Sequence, residues 1–139
     1  MTIKLELLNE AFHLKAVNDT GAIINIDGSK EIGGLNLGFT PMQLLLAGVG
    51  GCSAIDVISI LKKQKQEIKS MRIEVEGEKE KVDSHSEWRN IHLKFILEGE
   101  IEKEKAEKAL NLSMEKYCSV SKSLQPKSSF TWEINVNES

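Results

Sequence analysis

The residues best suited to chemistry in this chain are its two cysteines, Cys52 and Cys118. They form no CxxC pair, and the three histidines are not at zinc-ligand spacing from them. We therefore expect no metal and no cofactor. A cysteine reacts as its thiolate, so a catalytic role depends on what stabilises that charge. A buried cysteine that serves only as a small apolar side chain is the common alternative.

Cys52 lies within a long predicted helix, Thr40 to Lys65, with the sequence TPMQLLLAGVGGCSAIDVISILKKQK. Thr40 suits the N-cap, and Pro41 suits the first helical position because that position needs no N–H donor. Cys52 is then about three turns into the helix, where the N-terminal dipole has little effect. A reactive thiolate at this position needs a cation or a hydrogen-bond donor from elsewhere.

Cys118 follows a second predicted helix, Glu102 to Tyr117, whose apolar residues share one face. The C-terminal end of a helix is unfavourable for an attacking thiolate, so a functional Cys118 would suit the role of a resolving thiol. Asp56 comes one turn after Cys52 and shares its helix face. A carboxylate there disfavours a thiolate, and we expect Asp56 to be satisfied by a nearby donor.

The central helix is apolar on all sides, because Asp56 is the single charge between Leu44 and Leu61. Such a helix must be covered everywhere, which predicts a homodimer. Its glycines, including Gly50 and Gly51, suggest that another backbone approaches it closely. The length also suffices for a membrane span, but Asp56 and the flanking soluble strands favour a buried soluble helix and no membrane contact.

The remaining pattern predicts an α+β fold: three strands, the long helix, two strands, a second helix and a final strand. Residues 30–39 are predicted to be a loop that could move, and the segment EGEKEKVDSHSE a polar hairpin tip. The length of 139 residues predicts one domain over 1–139. A net charge of −3 argues against nucleic-acid binding, and the N-terminus lacks signal-peptide features, which predicts a cytoplasmic protein.

Two segments carry a family resemblance: TPMQLLLAGVGGCSAIDVISIL and, later, LSMEKYCSVSKSL. They resemble the two cysteine motifs of the OsmC/Ohr family, and within it the OsmC-like branch. The resemblance implies antiparallel or mixed sheets wrapped around two long central helices in an intertwined homodimer. It also implies thiol-dependent reduction of organic hydroperoxides, in which Cys52 attacks, Cys118 resolves, and a thiol reductant restores both.

The sequence departs from this family pattern at two places. Active members carry a glutamate directly after the proline of the central helix, where this chain has Met42, followed by Gln43. They also use an arginine from the N-terminal region, whereas the first arginine here is Arg72. Possible replacement cations are His13, Lys15, Arg72, Arg89 and Lys122. The alternative function is therefore a non-catalytic or small-ligand-binding homodimer, whose ligand is a small apolar or thiol-containing molecule. A structural or stress-associated protein with both cysteines in its core is the third hypothesis.

Overall fold

The computed structural model describes residues 1–138, which form two compact units with their boundary between Leu45 and Leu46. We call them the N-terminal and C-terminal units. The chain contains, in order, β1 (Lys4–Leu7), β2 (Leu14–Val17), β3 (Ile23–Ile26), a 3-10 turn (Lys30–Ile32), α1 (Pro41–Lys63), β4 (Glu67–Val82), β5 (His85–Glu100), α2 (Lys103–Leu112), a π-helical segment (Ser113–Tyr117), α3 (Ser119–Leu124) and β6 (Ser129–Val136). The predicted α+β class and element order are confirmed. The dimeric arrangement stays a prediction.

The N-terminal unit contains an antiparallel sheet in the order β1-β2-β3. Its register places Leu5 opposite Ala16, and Ala16 opposite Ile24. Because side chains alternate along a strand, these three residues share one face of the sheet. That face is apolar, yet Leu5 and Ile24 are exposed and Ala16 is buried. The other face carries the ion pair of Lys15 with Glu6, 3.6 Å apart.

The loop between β3 and α1 is organised by one buried carboxylate, Asp27. It accepts hydrogen bonds from the backbone N–H groups of Gly28 at 2.7 Å and of Leu35 and Leu37 at 3.1 Å. Burial raises the pKa of this carboxyl, but the three N–H donors outweigh that effect and the pKa is lowered. The sequence predicted 30–39 as a loop that could move and assigned no role to Asp27.

Helix α1 begins with the predicted cap. Gln43 N–H donates to Thr40 Oγ1 at 3.4 Å, and Thr40 N–H donates to Gln43 Oε1 at 2.9 Å. This reciprocal arrangement is a capping box. The Gln43 side chain is thus bound to the helix N-terminus. The helix ends in a Schellman motif, in which Lys65 is left-handed with φ of 60° and Gln66 N–H donates to Leu61 O at 2.9 Å.

The C-terminal unit is built on a mixed sheet in the order β4-β5-β6. Strands β4 and β5 form a long antiparallel hairpin, whereas β5 and β6 are parallel and are joined through α2, the π-helical segment and α3. The predicted polar hairpin tip is wrong in extent, because the turn holds only Asp83 and Ser84. The flanking polar residues are paired strand residues, supported by contacts such as Arg89 Nε to Glu80 Oε2 at 2.9 Å.

One face of this sheet packs against α1. A methyl group added at Gly50 would lie 2.9 Å from Val75 Cγ2 and 4.0 Å from Ile73 Cγ2, so the helix sits close to β4 at this turn. The sequence suggested that a backbone approaches the glycines. At Gly50 it is the Val75 side chain that approaches, and around Gly51 the space within the chain is open.

Within the chain, α1 is buried along one stripe: Val49, Ser53, Val57 and Leu61, together with Gly50. Most of the apolar part of α1 is not buried within the chain, and Ile55 is 68% exposed. By length and composition α1 could cross a membrane, and the same is true of the core helices of some soluble proteins. The side of α1 that stays exposed within the chain is the side that the sequence predicted a partner subunit to cover.

Candidate active site

Cys52 lies at the midpoint of α1, with eleven helical residues before it and eleven after it. It is adjacent to Ser53 of the buried stripe and is itself partly exposed. This position agrees with the prediction that the helix dipole contributes little to its thiolate. It also places Cys52 at the middle of the helix.

Cys118 is fully buried and lies between the π-helical segment and α3. Its N–H donates to Ser113 O at 2.7 Å, which closes the π turn. Its own position was predicted as a helix C-terminus, but it is also the N-cap of α3, where Ser121 N–H donates to its Sγ at 3.5 Å. Cys118 thus ends the π-helical segment, which agrees with its predicted place at a helix C-terminus, and a new helical turn begins directly after it.

The structure brings the two thiols together: the Cys52 side chain lies beside Cys118 and interacts with it. Burial raises the pKa of the Cys118 thiol above its ordinary value. Hydrogen bonds with Ser121 act in the opposite direction, and the neighbouring Cys52 thiol raises the pKa further. Cys118 is therefore a protonated thiol at neutral pH, next to a thiol that solvent can reach.

A chain of two buried serines and the partly buried Asp56 links α1 to the π-helical segment. Ser113 Oγ donates to Asp56 Oδ2 at 2.8 Å and lies 3.2 Å from Ser53 Oγ. The prediction that a nearby donor satisfies Asp56 is confirmed. Sequence reasoning missed both serines, since a serine within a helical pattern carries no signal of its tertiary partner.

Most of the cations that the sequence offers have other partners or face elsewhere. His13 Nε2 is 2.9 Å from Asn25 Oδ1, and Lys15 pairs with Glu6. Arg89 lies 2.9 Å from Glu80 and 3.5 Å from Glu87.

Arg72 and Lys122 are exposed. Arg72 lies on β4 next to Ile73, which contacts α1, so strand alternation directs Arg72 to the opposite face of the sheet. Lys122 lies four residues beyond Cys118, in the last turn of α3.

Two cavities of about 500 Å³ each lie along the second half of α1. One is lined by Asp56, Ser59, Ile60, Lys63, Leu112 and Tyr117. The other is more apolar and is lined by Ile58, Lys62, Lys65, Gln66, Glu67, Ile68 and Met71. Among residues 1–138, no three His, Cys, Asp or Glu side chains come together to hold a metal ion.

The fold and site define an α+β protein whose longest helix presents a partly exposed cysteine to a buried one. The family model for OsmC-like proteins matches residues 33–133, which include both cysteines. YhfA of Escherichia coli K12 is 37% identical over 98 residues, which cover 70% of this chain and 72% of YhfA. The chain belongs to the OsmC-like protein family.

Solved structures agree with this assignment. A hypothetical protein from Aquifex aeolicus VF5 is 33% identical with a TM-score of 0.78, covering 99% of this chain and 97% of that one. An organic hydroperoxide resistance protein OsmC from Legionella pneumophila has a TM-score of 0.72 at 16% identity, covering 98% of each chain. The second likeness concerns the fold alone.

Proposed function

We propose that this protein is a cytoplasmic, thiol-dependent peroxidase that reduces organic hydroperoxides, with Cys52 as the attacking thiol and Cys118 as the resolving thiol. The observation that carries the proposal is the juxtaposition of one accessible and one buried thiol at the middle of α1. Membership in the OsmC-like family supports it, as does the fold shared with a Legionella protein named for organic hydroperoxide resistance.

The reaction follows from thiol chemistry. The Cys52 thiolate attacks the terminal oxygen of the hydroperoxide, the O–O bond breaks, and the alcohol leaves after taking up a proton. Cys52 is now a sulfenic acid. The Cys118 sulfur attacks the Cys52 sulfur, water leaves, and a disulfide forms. A dithiol reductant then restores both thiols, so each cycle converts one hydroperoxide to alcohol and water.

The two roles follow from burial. A hydroperoxide must reach the attacking sulfur, and Cys52 is the partly exposed cysteine. Cys118 is fully buried, so it meets a sulfenic acid on Cys52 and not a substrate from solvent. Its raised pKa fits this order, because a protonated thiol does not compete for peroxide.

Activation of Cys52 is the point at which this chain differs from the family pattern. Met42 replaces the glutamate, and Arg72 faces away from α1 in its own chain. A lysine or arginine from a second copy is then the source of the stabilising charge, and lysine lacks the planar fork of arginine. We therefore expect slow turnover, with organic hydroperoxides preferred over hydrogen peroxide.

A homodimer is part of the proposal. Besides Ile55 of α1, the apolar face of the N-terminal sheet is exposed, with Leu5, Leu7 and Ile24 each at least half accessible. Exposed apolar surface of this extent is typical of an obligate interface, which buries on the order of 2,000 Å² or more. The second copy would cover both regions.

Binding of a small apolar ligand without catalysis is the second candidate. The cavity bordered by Ile58, Ile68 and Met71 favours it, because its lining is largely apolar and it does not include either cysteine. The replacement of the family's glutamate by Met42 and the absence of any arginine before Arg72 also favour binding without catalysis.

Turnover assays on the purified dimer distinguish the two candidates. Wild-type protein, Cys52→Ser and Cys118→Ser are incubated with cumene hydroperoxide or hydrogen peroxide and a dithiol such as dihydrolipoamide. We expect slow consumption by wild type, none by Cys52→Ser, and one equivalent by Cys118→Ser, which stalls as a dimedone-reactive sulfenic acid. If wild type consumes no hydroperoxide, or Cys52→Ser matches it, the peroxidase proposal fails and ligand binding replaces it.

A further inference from the structure

Asp56, Ser113 and Ser53 form a hydrogen-bonded chain beside the cysteine pair. Ser53 and Ser113 are fully buried. Ser113 Oγ donates to Asp56 Oδ2 at 2.8 Å and lies 3.2 Å from Ser53 Oγ. A hydroxyl carries a single hydrogen, so donation to Asp56 leaves the Ser53 hydroxyl as the donor in the second contact. Both hydroxyls are then satisfied, and the chain ends on the carboxylate.

Ser113 connects this chain to Cys118 through its main chain. It is the first residue of the π-helical segment, and its carbonyl accepts the Cys118 N–H at 2.7 Å. On the other side, Ser121 Oγ donates to Cys118 O at 3.0 Å. Cys118 is therefore held at its N–H and at its carbonyl, and the Ser113 side chain attaches the whole segment to α1.

The attachment point lies one turn from the attacking cysteine. Cys52 and Asp56 are four residues apart in α1 and share a helix face. These contacts connect Cys52, along α1 through Asp56 and across to Ser113, with Cys118 at the end of the π turn, and the Cys118 thiol in turn interacts electrostatically with the Cys52 side chain.

We propose that Asp56, acting through Ser113, is a positioning residue that holds the Cys118 thiol against Cys52 in a geometry ready for disulfide formation. The partly buried hydrogen bond to a carboxylate restricts the π-helical segment in the dithiol state, so little conformational freedom remains to be lost when the disulfide forms. Its part in resolution rests on the proposed peroxidase function, whereas its part in disulfide formation does not.

The test measures how readily the disulfide forms when no hydroperoxide is present. Folded protein is equilibrated in buffers of reduced and oxidised glutathione, where formation of the Cys52–Cys118 disulfide reduces one glutathione disulfide to two thiols. The disulfide fraction, read by thiol labelling and mass spectrometry, gives the effective concentration of the two thiols. We expect Asp56→Ala and Ser113→Ala each to lower it by roughly 10- to 100-fold, the equilibrium equivalent of a lost hydrogen bond to a charged group.

Two further variants separate positioning from a general loss of structure. Asp56→Asn keeps an acceptor for Ser113, and we expect it to stay within about threefold of wild type. The double variant Asp56→Ala/Ser113→Ala should be no worse than either single variant, because both remove the same bond. Ser123→Ala is the matched control: it deletes an exposed serine bond, also 2.8 Å long, from Ser123 Oγ to Ser119 O. It should leave the effective concentration unchanged.

The outcomes separate this inference from the proposed function. Folded Ser113→Ala protein with wild-type effective concentration overturns the inference, and so does a wild type that forms no Cys52–Cys118 disulfide. If Asp56→Ala does not unfold cooperatively, Ser113→Ala decides, because it removes a single oxygen atom. A wild type that forms the disulfide and responds to these variants, yet consumes no hydroperoxide, supports the positioning role while the peroxidase proposal fails.

Discussion

The two units differ in how far their apolar side chains are buried. In the C-terminal unit, β5 alone buries Ile91, Leu93, Phe95 and Leu97. In the N-terminal unit, only Ala16 and Ile26 are buried among the apolar residues, while Leu5 and Ile24 on the same sheet face are exposed. The C-terminal unit thus has a core of its own, which holds the cysteine pair. The N-terminal unit has an apolar sheet face that stays exposed within the chain. In our proposal a second copy of the chain covers this face.

The largest expected effect concerns the core of the C-terminal unit. Phe95 is fully buried on β5, so Phe95→Ala should lower the free energy of unfolding by about 3–5 kcal/mol through lost burial and the cavity left behind. Phe39→Ala is the matched control, because the Phe39 ring is 52% exposed. Urea unfolding followed by circular dichroism measures both. Equal losses for the two variants would contradict the contrast between the units.

A second experiment tests the exposed apolar face of the N-terminal sheet. Ile24 and Ile23 are neighbours on β3 with similar exposure, 50% and 56%, but they point to opposite faces of the sheet. If a second copy covers the apolar face, Ile24→Lys should weaken dimerisation by roughly 100-fold, because a charge is then buried without a partner. Ile23→Lys should have little effect. Sedimentation velocity over a concentration series measures both, and a monomeric wild type would remove the premise.

The smallest expected effect is the pH dependence of disulfide formation between the two cysteines. Because the pKa of Cys118 is raised by burial, its thiolate is a minor species at neutral pH. Below that pKa the thiolate fraction grows with pH, so disulfide formation from a Cys52 sulfenic acid should accelerate by about tenfold between pH 7 and pH 8. Rapid-quench labelling after one equivalent of hydroperoxide gives the rate, and Cys118→Ser should show no such step. A rate that does not change with pH would mean that Cys118 is already ionised.

Local patterns predicted the elements well, and predicted the site only in part. Alternation from Ile91 to Leu97 and the cap at Thr40 depend on near neighbours, and both appear as expected. The hairpin around Asp83 was predicted, but its tip was made too long, because polar residues on solvated strands have the same composition as a loop. The role of Asp27 was missed because its donors lie up to ten residues along the chain.

By itself, the sequence determined the α+β order, the apolar central helix and the two cysteines in family-like motifs. Only the tertiary structure decided that Cys52 and Cys118 meet at the middle of α1, and that Ser113 ties the π-helical segment to Asp56. The reason is physical. Helix and strand periodicity is set by neighbours three or four residues away, or two in a strand, and can be read from one sequence. Contacts between residues sixty positions apart depend on how those elements pack, and no local pattern records them.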